Sequence, residues 1–249
     1  MNIHLEADYK SYTSFNPIYC FGGQLIAVEL LTQFSHSTAN VAIPQELLLP
    51  QLCKEQRIVL LQNQINSIER HLDFFCQQKV KVTLKIDELL AQTILESEFL
   101  SRKLDALCWL ELEITESFTD LKLGKDNPGL MALSERFDLS LANYGAGKAP
   151  SKAVYDNLFS RIKLDKGFIQ HNINRLSFRP FINSILEHIK PHCQQVIVQG
   201  VDDLTGLEKV SQYQFDGIQS ALFSPVTEES LTTLVVPPKE LMTDSAITP

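Results

Sequence analysis

Short apolar or β-branched runs recur along the chain at Phe15–Cys20, Leu25–Leu31, Val80–Ile86, Cys108–Ile114, Leu139–Asn143, Arg161–Leu164, Val196–Gln199 and Gly217–Gln219. Each has the length of a strand. Between most of them lie longer stretches in which apolar residues return every three or four positions: Leu52–Phe75, Glu88–Lys103, Leu130–Phe137, Phe178–Ile189 and Leu204–Tyr213. That spacing predicts amphipathic helices. The first two runs are split only by Phe21–Gln24, with a Gly22-Gly23 pair, which predicts a hairpin. From the second run onward strand and helix alternate, the pattern of parallel strands joined by crossover helices.

Eight mostly parallel strands in about 235 residues point to an α/β fold, a modified TIM-like (β/α)8 barrel whose first strand runs antiparallel. A doubly wound open sheet shares the alternation, and periodicity separates the two only slightly. The barrel is expected over residues 1–236. The remainder, 237–249 (PPKELMTDSAITP), is short, polar and without periodicity, and is expected to be disordered.

In such a barrel chemistry collects at the C-terminal ends of the strands. The polar residues ending successive runs are Glu29, Lys85, Glu113, Asn143, Lys163, Gln199 and Gln219. Any one of them is an ordinary solvated strand end; seven in succession describe a shared polar mouth.

Composition narrows the functions open to such a site. Of 249 residues 44% are hydrophobic and 21% charged, an ordinary soluble mixture. Asp and Glu (30) outnumber Lys and Arg (22), and a net charge of −8 argues against direct binding of nucleic acid. The five cysteines, Cys20, Cys53, Cys76, Cys108 and Cys193, form no C-x-x-C pair and are expected to be reduced thiols. No signal-peptide pattern and no membrane-length apolar run occurs, so a cytoplasmic location without membrane contact is expected. His188 and His192 have a metal-like spacing, but Pro191 should end their helix, so no metal is expected there. Gly145-Ala146-Gly147 lacks the rest of a nucleotide fingerprint and reads as a tight βα turn. Phe74-Phe75 and Leu47–Leu49 read as core.

Six segments together carry a resemblance: Ile26–Phe34 (IAVELLTQF), Leu110–Ser117 (LELEITES), Leu139–Ala149 (LSLANYGAGKA), Arg161–Ile169 (RIKLDKGFI), Gln195–Asp203 (QVIVQGVDD) and Phe215–Pro225 (FDGIQSALFSP). Their order and spacing resemble the EAL domain, a family containing cyclic-di-GMP phosphodiesterases on a modified (β/α)8 barrel. The resemblance runs from about Phe15 to Leu234. Active members hold two divalent cations between carboxylates and an Asn, and the metals polarise the phosphodiester and activate water. By this resemblance Glu29, Glu113, Lys163 and Gln219 keep the family residue. Lys85 stands where the family has the Asn ligand, Ala142 and Asn143 replace its paired aspartates, and Gln199 replaces its Glu. Gln33 aligns with the Arg that holds ligand phosphate, and Ala221 stands where an aromatic is common.

These departures change the charge at the mouth. Glu29 and Glu113 face Lys85 and Lys163, a set already neutral without metal; a cation beside Lys85 would meet like-charge repulsion. The resemblance therefore implies a catalytically dead relic with neither metal nor cofactor, in which Lys85 is expected within ion-pair distance of Glu29 or Glu113. Segments Gly124–Ser134, Asn143–Gln170 and Ser177–Ile185 are similar to one branch, the stand-alone YdiV-type barrels. That branch implies an anti-activator that binds the FlhD subunit of the flagellar master regulator FlhDC, keeps it off DNA and represses motility. The alternatives are a non-hydrolysing cyclic-di-GMP sensor, against which Gln33, Ala142 and Ala221 argue, and a residual phosphodiesterase.

Overall fold

The computed structural model describes residues 2–4, 8–36, 42–43, 48–147 and 151–242. Its strands are β1 (Asn2–His4), β2 (Asp8–Tyr19), β3 (Leu25–His36), β4 (Ala42–Ile43), β5 (Lys81–Lys85), β6 (Leu110–Thr115), β7 (Asp138–Tyr144), β8 (Arg161–Leu164), β9 (Gln195–Gln199), β10 (Gly217–Gln219) and β11 (Val226–Thr227). Among the described residues eight of them, β2, β3 and β5 to β10, close a barrel in the order β2-β3-β5-β6-β7-β8-β9-β10. Strands β3 and β5 to β10 run parallel; β2 is antiparallel to both its neighbours, β3 and β10. This is the expected barrel, closed rather than open. β1 and β11 add to β2, and β4 to β3, outside the ring.

The hairpin turns where the two glycines predict it. Cys20 N–H donates to Gln24 O at 2.9 Å, Gly23 N–H donates to Cys20 O at 3.0 Å, and Gly23 has φ 81°. Its strands are twelve residues long and pair from Tyr9–His36 to Tyr19–Leu25, beyond the runs read from the sequence, because outside the barrel polar pairs such as Tyr12 and Gln33 continue the ladder. Closure requires β10 to lie close against β2: a Cβ on Gly217 would sit 2.9 Å from Tyr19 O and 2.7 Å from Ile26 Cδ1. Only glycine fits there.

The helices are α1 (Lys54–Arg70), α2 (Leu72–Gln78), α3 (Glu88–Glu96), α4 (Glu98–Asp105), α5 (Pro128–Ser134), α6 (Ser151–Tyr155), α7 (Lys166–Asn172), α8 (Phe178–Ile189) and α9 (Leu204–Ser211). Two expected long helices are each broken in two. His71 leaves helical geometry between α1 and α2, and Ser97, extended between α3 and α4, caps α4. Side-chain caps set four further starts, those of α3, α5, α7 and α9: Asp87, Asn127, Asp165 and Asp203 accept from the backbone N–H three residues on. α8 ends at Ile189, before Pro191, as predicted.

The main core lies between the strands and the helices, and includes Phe75, with Phe74 packed against it. Leu48 is buried with Phe34, Leu52 and Leu60, and Leu49 packs on them; Leu47 lies outside the described residues. Inside the barrel, Ile18, Ala27 and Ile197 form a separate apolar layer. The cysteine expectation is modified at one pair: Cys76, on α2, and Cys108, just before β6, bring their sulfurs together as a candidate disulfide pair, while Cys20, Cys53 and Cys193 are free. The end of α2 and the start of β6 reach the same rim of the barrel, which brings together residues 32 apart in sequence. The start of the presumed tail is also corrected. Residues 239–241 form a helical turn, Leu241 is buried, and Pro237 closes on Gly23. Residues 243–249 lie outside the described residues.

Candidate functional site

Alternation along each strand sends every second side chain into the barrel. β6 thereby places Glu111 and Glu113 inside, and β8 places Arg161 and Lys163; all four are buried. Two polar layers result, with the Ile18–Ala27–Ile197 layer among the inward-facing residues.

At the mouth, Lys163 is 1% exposed and its ammonium lies between two carboxylates, 2.6 Å from Glu113 Oε2 and 2.9 Å from Glu29 Oε2. Lys163 also donates to Gln219 Oε1 at 3.3 Å. Gln219 Nε2 donates to Glu29 Oε2 at 2.8 Å, and Gln199 Nε2 donates to Gln219 Oε1 at 2.7 Å. Residues from β3, β6, β8, β9 and β10 are thus joined in one network. All five end successive apolar runs in the sequence.

Burial disfavours charge on Glu113 and, with repulsion from Glu29, outweighs the attraction of Lys163, pushing its pKa up to about 7. Glu29 is buried too, but Lys163, Lys85 and the hydrogen bond from Gln219 more than offset desolvation and hold it below the usual carboxylate range. Burial also opposes charge on Lys163; its two carboxylates reverse that effect and raise it above the ordinary lysine range. One carboxylate is firmly ionised and the other is poised near neutrality.

The position expected of Lys85 is corrected. Among the described residues, the ion pairs of Glu29 and Glu113 are both made by Lys163. Lys85 pairs with Glu113 in backbone register, but its side chain helps line a neighbouring cavity of about 290 Å3 with Arg57, Asp87 and Phe118. From there its charge acts on both carboxylates to lower their pKa. A lysine at a strand end has the reach to leave the barrel axis, and sequence alone does not fix which way it turns.

Ala142 is buried on β7. Asn143 adopts the left-handed conformation (φ 60°), where the β7–β8 register shifts, and its carbonyl closes the turn by accepting from Ala146 N–H at 3.2 Å. Gly145 N–H donates to Glu116 Oε1 at 2.7 Å, so the glycine pair makes the expected βα turn. Glu116, a buried acceptor at the mouth, was missed in the sequence; the signal was the last Glu of LELEITES. Asp165 is a helix cap, accepting from Phe168 N–H at 2.6 Å. Gln33 is held by Tyr12, whose hydroxyl donates to its Oε1 at 2.6 Å, while its Nε2 donates to Ser14 Oγ at 3.2 Å.

The second polar layer also escaped sequence reasoning. Arg161 NH1 donates to Glu111 Oε2 at 2.6 Å, with the side chains 4% and 1% exposed. Ser160 donates to Glu111 Oε1 at 2.7 Å, and Arg161 donates to Gln195 Oε1 through Nε (3.0 Å) and NH2 (2.8 Å). With both charges paired and hydrogen-bonded, this layer is a structural brace.

The mouth does not fit the divalent cations of EAL phosphodiesterases. Ala142 offers no ligand, and the amides Asn143 and Gln199 are weaker ligands than the carboxylates that the family resemblance places there.

Comparison with known proteins agrees with this geometry. The family model described as EAL domain matches residues 5–225. The chain is 37% identical, over 94% of its length and 99% of the relative's, to the putative anti-FlhC2FlhD4 factor YdiV of Escherichia coli (strain K12). A crystal structure of the EAL-like domain protein YdiV superposes with a TM-score of 0.84 at 37% identity, covering 91% of this chain and 97% of that one. The cyclic-di-GMP complex of the phosphodiesterase PaMucR shares the fold at TM-score 0.69 and 18% identity, covering 89% and 94% of the two chains. With most of its length matched by one family model, the chain belongs to the EAL domain family.

Proposed function

We propose that this protein is a non-enzymatic EAL-like regulator that binds the FlhC2FlhD4 complex through its FlhD subunit, keeps it off DNA and so represses flagellar genes and motility from the cytoplasm. The observation that supports it most is near full-length similarity to a factor named for opposing FlhC2FlhD4. The mouth agrees: Ala142, Asn143 and Gln199 stand where the family resemblance places carboxylates, which leaves Glu29 and Glu113 paired with the retained Lys163. Hydrolysis of a phosphodiester needs an activated water, and among the described residues no group of three or more His, Cys, Asp or Glu is placed to hold a metal that would activate one. The sensor reading is weakened by Gln33, which is engaged by Tyr12 and Ser14 where ligand phosphate would need a cation.

The test is capture of purified FlhC2FlhD4 by the purified protein, run beside a swimming assay on overexpression. Binding with reduced swimming is expected; absence of both would overturn the reading. In parallel, cyclic-di-GMP with Mg or Mn should be neither hydrolysed nor, by calorimetry, tightly bound. Metal-dependent turnover lost in Glu29→Ala would restore an enzyme. Lys85→Asn alone should not create activity, because groups of a concerted site are strongly non-additive.

A further inference from the structure

The protein is acidic as a whole, yet residues 166–186 carry Lys166, Arg175 and Arg179 and no Asp or Glu. This stretch forms α7, the connection after it and most of α8. Its apolar residues are not all inside. Leu176, in the connection, is fully exposed and Phe181, on α8, is 50% exposed, its ring 5.3 Å from that of the partly buried Phe168 on α7. Arg175 and Arg179 are exposed and, among the described residues, make no ion pair; Arg175 donates only to its neighbour Asn172. Lys166 lies 3.8 Å from Asp202. Large exposed apolar side chains beside arginine are the composition of a protein interface, where aromatics anchor and arginine supplies bidentate contacts at the rim.

We propose that the α7–α8 face, anchored by Leu176 and Phe181 and flanked by Arg175 and Arg179, docks a partner protein through an apolar groove rimmed by carboxylates. The inference rests on the proposed function, in which that partner is FlhC2FlhD4. Charge decides among the possible occupants. An isologous contact with a second copy would set the same arginines against one another. A lipid surface calls for a denser cluster of cations than three. A carboxylate-rimmed groove complements both the arginines and the apolar centre. A basic, DNA-contacting surface of the partner would be repelled, so docking occurs on another part of the complex.

The experiment measures the affinity of FlhC2FlhD4 for the wild type, for Arg175→Glu/Arg179→Glu, for Leu176→Ser/Phe181→Ser, and for Arg102→Glu on α4 as a charge-reversed control elsewhere. Thermal melting of each establishes that it is folded. Each double variant should lose roughly 30-fold or more in affinity, the loss typical of a hot spot, with the control within roughly threefold. Failure of the wild type to bind would overturn the proposed function itself. Wild-type binding with unaltered affinity in both double variants would overturn this face alone. So would sedimentation showing a wild-type dimer that the double variants dissociate while still binding FlhC2FlhD4. Binding to vesicles of mixed zwitterionic and anionic lipid, lost only in the double variants while FlhC2FlhD4 binding persists, would assign the face to a membrane instead.

Discussion

Replacing Glu113 by Gln should make the protein's stability less sensitive to alkaline pH. Glu113 titrates near 7 in the folded barrel and at about 4.5 in the unfolded chain. Between those values the folded state holds a proton that the unfolded state has released. Its contribution to stability is therefore complete below about pH 4.5, falls as pH rises, and is exhausted above 7. The gap corresponds to about 3 kcal/mol in all, of which about 2 kcal/mol is lost between about pH 5.5 and pH 8. Glutamine keeps the shape and an oxygen for Lys163 but cannot ionise. Lys163 retains Glu29 at 2.9 Å and Gln219 at 3.3 Å, so removal of the second carboxylate does not strand the ammonium.

The assay is thermal or urea unfolding of wild type and Glu113→Gln at both pH values. The difference between the two proteins cancels histidines and other groups that titrate in the same window. Glu29, held low, would act only below about pH 4.5. Stabilities should lie close at about pH 5.5, and the variant should gain about 2 kcal/mol by about pH 8, or roughly 4–8 °C in melting temperature for a chain of this size. Parallel pH profiles would refute the reasoning, because they would show that Glu113 ionises alike in the folded and unfolded chains.

Lys163→Met leaves two buried carboxylates facing each other and should destabilise by about 3–5 kcal/mol at neutral pH, with partial recovery on acidification, measured by urea unfolding. At the other layer, Arg161→Met should cost about as much, whereas Arg161→Met/Glu111→Leu should recover most of the loss; equal losses in single and double variants would mean that packing rather than charge sets the cost. Gly217→Ala forces a Cβ against Tyr19 O and should destabilise by about 1–3 kcal/mol, read as a lower melting temperature.

The alternation of β-branched runs with helical spacing contained the barrel, because strand and crossover helix are each specified over a few residues. The antiparallel first strand followed from the Gly22-Gly23 turn for the same local reason. Breaks at His71 and Ser97 were not legible: apolar spacing continues through both, and the turning of the chain is set by packing against the strands. Strand ends gave the positions of Glu29, Glu113, Lys163, Gln199 and Gln219, since alternation fixes which side of the sheet a residue occupies. The direction taken by Lys85 was not fixed, for four rotatable bonds carry its charge away from its strand. The Glu111–Arg161 brace was hidden because two charges in apolar runs look like strand edges until closure of the barrel brings β6 and β8 near each other. Cys76 and Cys108 likewise become neighbours only through the tertiary fold.

The retained residues at the mouth are best understood as a balanced remainder. In a phosphodiesterase of this family the carboxylates are held apart by metal, and loss of the metal alone would leave them repelling in a buried site. Neutral residues at Ala142, Asn143 and Gln199 reduce the negative charge to Glu29 and Glu113, which one buried ammonium bridges and Lys85 supports at a distance. A mouth balanced in this way should let the barrel fold without an ion. Its outer surface would then be independent of metal and nucleotide supply, which suits the proposed protein-binding function. Binding of FlhC2FlhD4 should accordingly be the same in EDTA as in Mg or Mn. A metal requirement for that binding, abolished by Glu29→Gln, would show that the mouth still serves a cation and that Lys163 gives way to it.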